Sequence, residues 1–326
     1  MNIPSILTGV AALLVLAWAT GVYLFARLTI NPKRHTAWSD PKAELGLDFE
    51  PVSFEARDGL TIKGWFIPGP NRPPAATVII VHGWPWNRMG TPANRLLWDL
   101  PGSTPVNLMP LAGRLHAEGY HVLMFDVRNY GESGGDLPQT YGWKESWDLL
   151  GALDMLDARD DVDSARMGVV GFSMGGNTLL YAAGVTDLVR AGVAIQPTTP
   201  AVFSARYRKA NFGPLSYIIY PVVEVLYRLR GGPKIDAFDL QTQATTTGST
   251  PILFFQGSGD RWGSVEDVQA MADSTPNAFG PILVPTEGRF GGYMALVDEP
   301  QAMIDFLAPY LGEMQEAEVP PREKRG

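Results

Sequence analysis

The sequence predicts an α/β fold built on one mostly parallel, doubly wound sheet, and three observations carry that expectation. Thr77–Val81 (TVIIV), Val122–Phe125 (VLMF), Val169–Phe172 (VVGF) and Ile252–Phe255 (ILFF) are nearly unbroken apolar runs, as expected of strands covered on both faces. Helical stretches of crossover length separate them. The composition is globular, with 326 residues of which 45% are hydrophobic and 18% charged, and it excludes disorder.

The chain opens with an apolar segment. No side chain from Met1 to Ala26 is charged, and Ile6 to Phe25 supplies 20 mostly apolar residues, the length of a helix that crosses a hydrocarbon core of about 30 Å. Residues 1–30 are therefore read as a single-pass membrane anchor. A cleaved signal peptide would want basic residues first and a shorter apolar core. Trp18 and Tyr23 sit toward the carboxyl end of the run, and Arg27, Lys33 and Arg34 follow it, which places the amino terminus outside and the remainder in the cytoplasm.

Residues 31–45 read as a linker and 46–311 as one domain. Eight strands are expected at 51–57, 60–68, 77–83, 121–128, 167–173, 192–197, 251–257 and 281–286. The first two alternate as an antiparallel, two-faced edge would. Helices are expected near 106–118, 143–157, 174–184, 264–273 and 298–311. Residues 198–249 break the rhythm and read as a cap inserted over the carboxyl edge of the sheet. That insertion carries a basic stretch (Arg206, Arg208, Lys209) and an apolar run, Leu215–Leu229, which is too short and too charged to span a membrane. Residues 312–326 read as a polar tail, and no internal repeat is evident.

Lys and Arg total 26 against 34 Asp and Glu, a net charge of -8, so nucleic acid is a poor partner. With no cysteine, disulfides, thiolate metal sites and cysteine nucleophiles are excluded. No phosphate loop, dinucleotide fingerprint or metal-ligand cluster occurs, and no cofactor is implied.

Gly171-Phe172-Ser173-Met174-Gly175 follows an apolar strand and opens a helix, the context that makes G-x-S-x-G a nucleophile elbow. Upstream stand Val81-His82-Gly83-Trp84 and Asp126-Val127-Arg128-Asn129-Tyr130-Gly131-Glu132-Ser133. Together these resemble the α/β-hydrolase family over roughly residues 50–311, with Asn129 where glycine is usual. The resemblance implies Ser173 as nucleophile, Asp260 as the triad acid, and backbone N–H groups at Met174 and near Trp84 as an oxyanion hole. The family histidine lies in a G-x-H-G-like stretch before the final helix, and here that stretch is Glu287-Gly288-Arg289-Phe290-Gly291-Gly292-Tyr293. Phe290 is placed in the histidine position, and a one-residue slip would offer Arg289, which cannot accept a proton. All four histidines, His35, His82, His116 and His121, precede Ser173. His82 alone lies near the elbow, where a structural role in the turn is expected rather than service as a surrogate base. Arg289 is expected to neutralise Asp260, and Glu287 to be merely solvated.

Two functions follow. The first is a catalytically impaired, membrane-anchored protein acting as an accessory or assembly subunit of a membrane complex. It is consistent with nine tryptophans, of which Trp84, Trp86, Trp98, Trp143, Trp147 and Trp262 fall in or near expected loops. The alternative is an active membrane-bound esterase, lipase or thioesterase that uses Ser173 and Asp260 with a non-standard base.

Overall fold

A computed structural model of the protein describes residues 3–30, 33–93, 101–135 and 138–312. The eight-stranded sheet is made of β1 (Glu50–Glu55), β2 (Thr61–Ile67), β3 (Ala75–Val81), β6 (His121–Asp126), β7 (Val162–Phe172), β8 (Ala191–Ile195), β9 (Ile252–Gly257) and β10 (Ala278–Val284). Its order is β1-β2-β6-β3-β7-β8-β9-β10, and a two-residue pair, β4 (Gly90–Thr91) and β5 (Val106–Asn107), stands apart. β2 runs antiparallel to both β1 and β6, and the remaining pairings in the large sheet are parallel. The sheet is mostly parallel and eight-stranded, as its apolar runs predict.

Those runs are apolar throughout because successive side chains feed two different cores. Val78, Ile80, Val122 and Met124 pack under α3 (Met109–Ala117), α10 (Gly288–Asp298) and α11 (Gln301–Leu311). Ile79, Val81, Leu123 and Phe125 pack instead under α4 (Glu145–Asp157), α5 (Met174–Ala183) and α9 (Val265–Ser274).

The turn after β6 is a polar hub. Asp126 accepts hydrogen bonds from the backbone N–H (2.7 Å) and Nε (3.1 Å) of Arg88, while buried Arg128 donates to Asp148 and Asp58. Asn129 has φ +73°, a left-handed conformation that asparagine tolerates better than most side chains, so it can stand where glycine is usual.

The insertion contains α6 (Pro200–Phe212) and α7 (Ser216–Leu229), followed by α8 (Leu240–Ala244). Leu240 and Ala244 are buried, and α8 packs on α5 and α9 at the sheet flank, so the covering part of the insertion ends before α8 rather than at 249. The expected linker also gains structure: α2 (Pro41–Leu45) is capped by Asp40, which accepts from the Ala43 N–H at 2.8 Å, and Leu45 packs on Gly113. Trp147 belongs to α4 rather than a loop, whereas Trp98 and tail residues 313–326 lie outside the described residues.

The amino-terminal helix α1 (Ile3–Ile30) is, among the described residues, the one helix long and apolar enough to cross a membrane. Its first half is exposed, and its second half packs on the insertion: Trp18 Nε1 donates to the Ile218 carbonyl at 3.2 Å, and Phe25 stacks on Tyr207.

Candidate active site

Ser173 caps β7 at the carboxyl edge of the sheet, with φ 52° and ψ -112°, a backbone conformation that side chains rarely adopt. The turn closes because its neighbours lack side chains. A Cβ on Gly171 would stand 2.2 Å from the Gly175 carbonyl oxygen, and one on Gly175 would stand 2.1 Å from that of Val81. The β3 loop abuts the same turn, since a Cβ on Gly83 would lie 3.2 Å from Ser173 Cβ.

His82 is fully buried and anchors that loop. Its Nδ1 lies 2.8 Å from the Gly83 carbonyl, and its Nε2 accepts from the Val127 N–H at 3.1 Å. Accepting at Nε2 leaves the proton on Nδ1, so both nitrogens are committed to backbone, and burial pulls the imidazole below its ordinary range. The other histidines are held elsewhere: His121, at the opposite end of β6, accepts from Gly69 N–H at 2.6 Å, His116 lies on α3, and the His35 carbonyl accepts from Asn87.

Asp260 follows β9 and is buried, accepting from the N–H groups of Trp262 and Gly263, both at 2.9 Å, and from Gln256 at 3.2 Å. Between Asp260 and Ser173 stands Arg289. Its Nη1 donates to Asp260 at 2.5 Å; its Nη2 donates to Ser173 Oγ at 2.9 Å, to the Gln196 carbonyl at 2.8 Å and to Thr198 Oγ1 at 3.0 Å. The expected Arg289–Asp260 pair thus forms, and it reaches further, to the serine.

This geometry corrects the placement of Phe290 in the histidine position. Arg289 bridges Ser173 and Asp260, the place in which the sequence resemblance implies an imidazole. Phe290 instead joins the aromatic wall of the site, 5.7 Å from Trp262 and 6.3 Å from Trp86 between ring centroids. The stretch is the first turn of helix α10, which fixes the two side chains on different faces.

Three contributors were not foreseen. Gln196 secures Arg289 twice, through its carbonyl and through Nε2, which donates to the Arg289 carbonyl at 2.8 Å. Thr198 adds an acceptor. Tyr293, one turn along α10 from Arg289, lines the same site, with its ring centroid 5.5 Å from the guanidinium carbon of Arg289. Burial pushes that phenol up to about 12; Asp260 adds to the shift and Arg289 opposes it. Burial is the largest influence on Arg289 and opposes its charge, but Asp260 and Tyr293 together more than offset it, and the guanidinium stays protonated. The sequence signal available for Gln196 and Thr198 was their place just after a parallel strand, at the sheet edge where ligands bind.

A narrow cavity opens over Ser173 and Arg289 between Trp84, Tyr141, Phe203 and Trp262. Met174 begins α5 and Trp84 belongs to the facing loop, so both positions expected to form the oxyanion hole line this cavity. Among the described residues no cluster of metal-ligating side chains occurs.

A family model described as the alpha/beta hydrolase fold matches residues 76–218. The chain has the α/β-hydrolase fold. It is similar to the Pyrococcus furiosus esterase Pf2001, with a TM-score of 0.67 and 23% identity over 87% of this chain and 99% of that one. The uncharacterized protein YfhR of Salmonella typhimurium is 32% identical over 50% of each chain. The polyketide transferase af380 of Aspergillus fumigatus is 30% identical over 50% of this chain and 49% of its own. The chain spans about half the length of the curated relatives it matches.

Proposed function

We propose that this protein is a membrane-anchored α/β-hydrolase-fold protein whose site binds rather than cleaves, serving as an accessory or assembly subunit of a membrane complex with its body in the cytoplasm. Arg289 between Ser173 and Asp260 carries the reading. Acyl transfer needs a group that takes the serine proton, and a guanidinium has five N–H donors and no acceptor. Tyr293 is protonated below about 12, and the Asp260 oxygens are occupied on the far side of Arg289. In a serine protease, loss of the serine or histidine costs about 10⁶ in turnover. What remains is the positive charge of Arg289 beside the backbone N–H groups expected at Met174 and Trp84, suited to holding an oxygen-bearing ligand.

The alternative, an active esterase or related serine hydrolase with a non-standard base, draws on the retained left-handed conformation of Ser173 and on the fold shared with an esterase. Labelling by a fluorophosphonate probe separates the two, with Ser173→Ala as control. The binding reading expects no serine-dependent labelling of folded protein.

A further inference from the structure

The cavity over Ser173 does not end there. A second, narrow and mostly apolar pocket shares the walls Trp84, Tyr141, Pro200 and Phe203 with the first. It continues away from the serine between Tyr220, Val223 and Tyr227 of α7 and Phe25 of α1. The helix proposed to anchor the chain therefore supplies part of the wall, and Glu224, also on α7, is the one carboxylate among the residues that line it.

Three observations say what this second cavity faces and holds. First, α1 and α7 pack at close range: a Cβ on Gly21 would lie 2.9 Å from Ile219 Cδ1, and Trp18 bonds the Ile218 carbonyl. Trp18 stands seven residues before Phe25 in the sequence, about 10 Å along a helix, so the start of α7 lies about 10 Å within the apolar stretch that ends at Phe25. Second, α7 turns apolar side chains outward beside α1, with Tyr217 81% and Leu229 76% exposed and Ile218, Val225 and Leu226 beside them; this is the face of a helix that lies in a bilayer interface. Third, the indole N–H of Trp84, on the wall common to both cavities, is buried and has no hydrogen-bond acceptor in the protein. A buried donor of this kind is costly unless a ligand supplies the acceptor.

We propose that the two cavities form one site for a single-chain acyl lipid, a long-chain fatty acid or its ester, taken laterally from the bilayer. The hydrocarbon tail occupies the second cavity between α7 and Phe25. The carbonyl or carboxylate oxygens accept from Trp84 Nε1 and from the donors around Ser173 and Arg289. The inference rests on the binding reading for its polar end only, since the tail cavity stands whether or not the serine reacts.

The test uses the full chain in phosphatidylcholine vesicles that contain a palmitic acid analogue bearing a diazirine in its tail and a terminal alkyne. After irradiation, adducts are mapped by mass spectrometry. Adducts are expected on residues 200–207 and 219–227, and Val223→Trp, which fills the second cavity, should reduce them at least fivefold while adducts on the outward face of α1, at Leu7 and Leu14, persist. Trp84→Phe, which keeps an aromatic side chain but removes the donor, should weaken competition by unlabelled palmitate about threefold or more, and it covers the case in which the bulkier variant misfolds. Probe supplied from albumin in water should give the same adducts more slowly than probe preloaded in the bilayer. Adducts confined to the outward face of α1, or cavity adducts unchanged by both substitutions, would overturn the proposal. Cavity adducts together with a fluorophosphonate-reactive Ser173 would retain this inference and remove the binding-only reading; an unreactive serine with no cavity adducts would do the reverse.

Discussion

Replacing Arg289 by leucine removes the cation that neutralises Asp260. The pair is almost wholly buried, with side-chain exposures of 4% and 0%, and its N···O separation is 2.5 Å. At an effective dielectric of about 20 the attraction is about 7 kcal/mol before the desolvation of both groups is subtracted. Removing one partner of a buried pair costs about 3–5 kcal/mol, because the other charge is stranded. Asp260 keeps the N–H groups of Trp262 and Gly263, so the lower end, about 3 kcal/mol, is expected for Arg289→Leu. Asp260→Asn strands the guanidinium but leaves it the Gln196 carbonyl and Thr198 hydroxyl, and a loss of about 3 kcal/mol is expected again. In the double variant no charge is left stranded, so its loss should fall short of the sum by about 2 kcal/mol or more. Urea unfolding of the detergent-solubilised chain, followed by tryptophan fluorescence, measures all four proteins. Single losses under about 1 kcal/mol, or additivity within about 0.5 kcal/mol, would refute the claim that Arg289 is fixed here by Asp260.

Two further outcomes are expected. His82 is neutral when folded and its basicity is lowered by burial, whereas in the unfolded chain it takes a proton below about 6.5. The unfolded state thus binds more protons in that window, and stability is lost as pH falls from 6.5 toward 5. In His82→Gln the slope of unfolding free energy against pH between 5 and 6.5 should be less positive than in the unsubstituted protein by up to about 1.4 kcal/mol per pH unit; equal slopes would show that His82 is protonated when folded. At Asn129, with φ +73°, substitution by glycine should leave stability within about 1 kcal/mol, while substitution by valine should cost about 1–2 kcal/mol or more in thermal unfolding. Equal effects would mean that the turn relaxes.

The sheet was legible because strands buried on both faces cannot hide polar residues, so β3, β6, β7 and β9 declare themselves as apolar runs. The elbow was legible because close backbone approach admits only glycine at Gly171 and Gly175. Helix α10 was not: Gly288-Arg289-Phe290-Gly291-Gly292 reads as a loop by propensity, and what holds it helical is the burial of Phe290, Tyr293 and Leu296 against the core. The register of Arg289 and Phe290 could not be settled in a glycine frame that fits either; the buried charge on Asp260 decides it. Helix α6 escaped notice because its Arg206–Lys209 stretch masks Tyr207, which is buried against Phe25 of α1 and against Trp262.

Ser173 accepts from the permanent donor Arg289, and on the binding reading no group among the described residues takes its proton. The direct measurement is the rate of fluorophosphonate labelling of the full chain in detergent, compared with Ser173→Ala and with Arg289→His. Labelling of the unsubstituted protein indistinguishable from Ser173→Ala is expected, with Arg289→His, which offers an imidazole in the same position, the faster of the three. Labelling of the unsubstituted protein that disappears in Ser173→Ala would contradict the binding reading and establish an active serine.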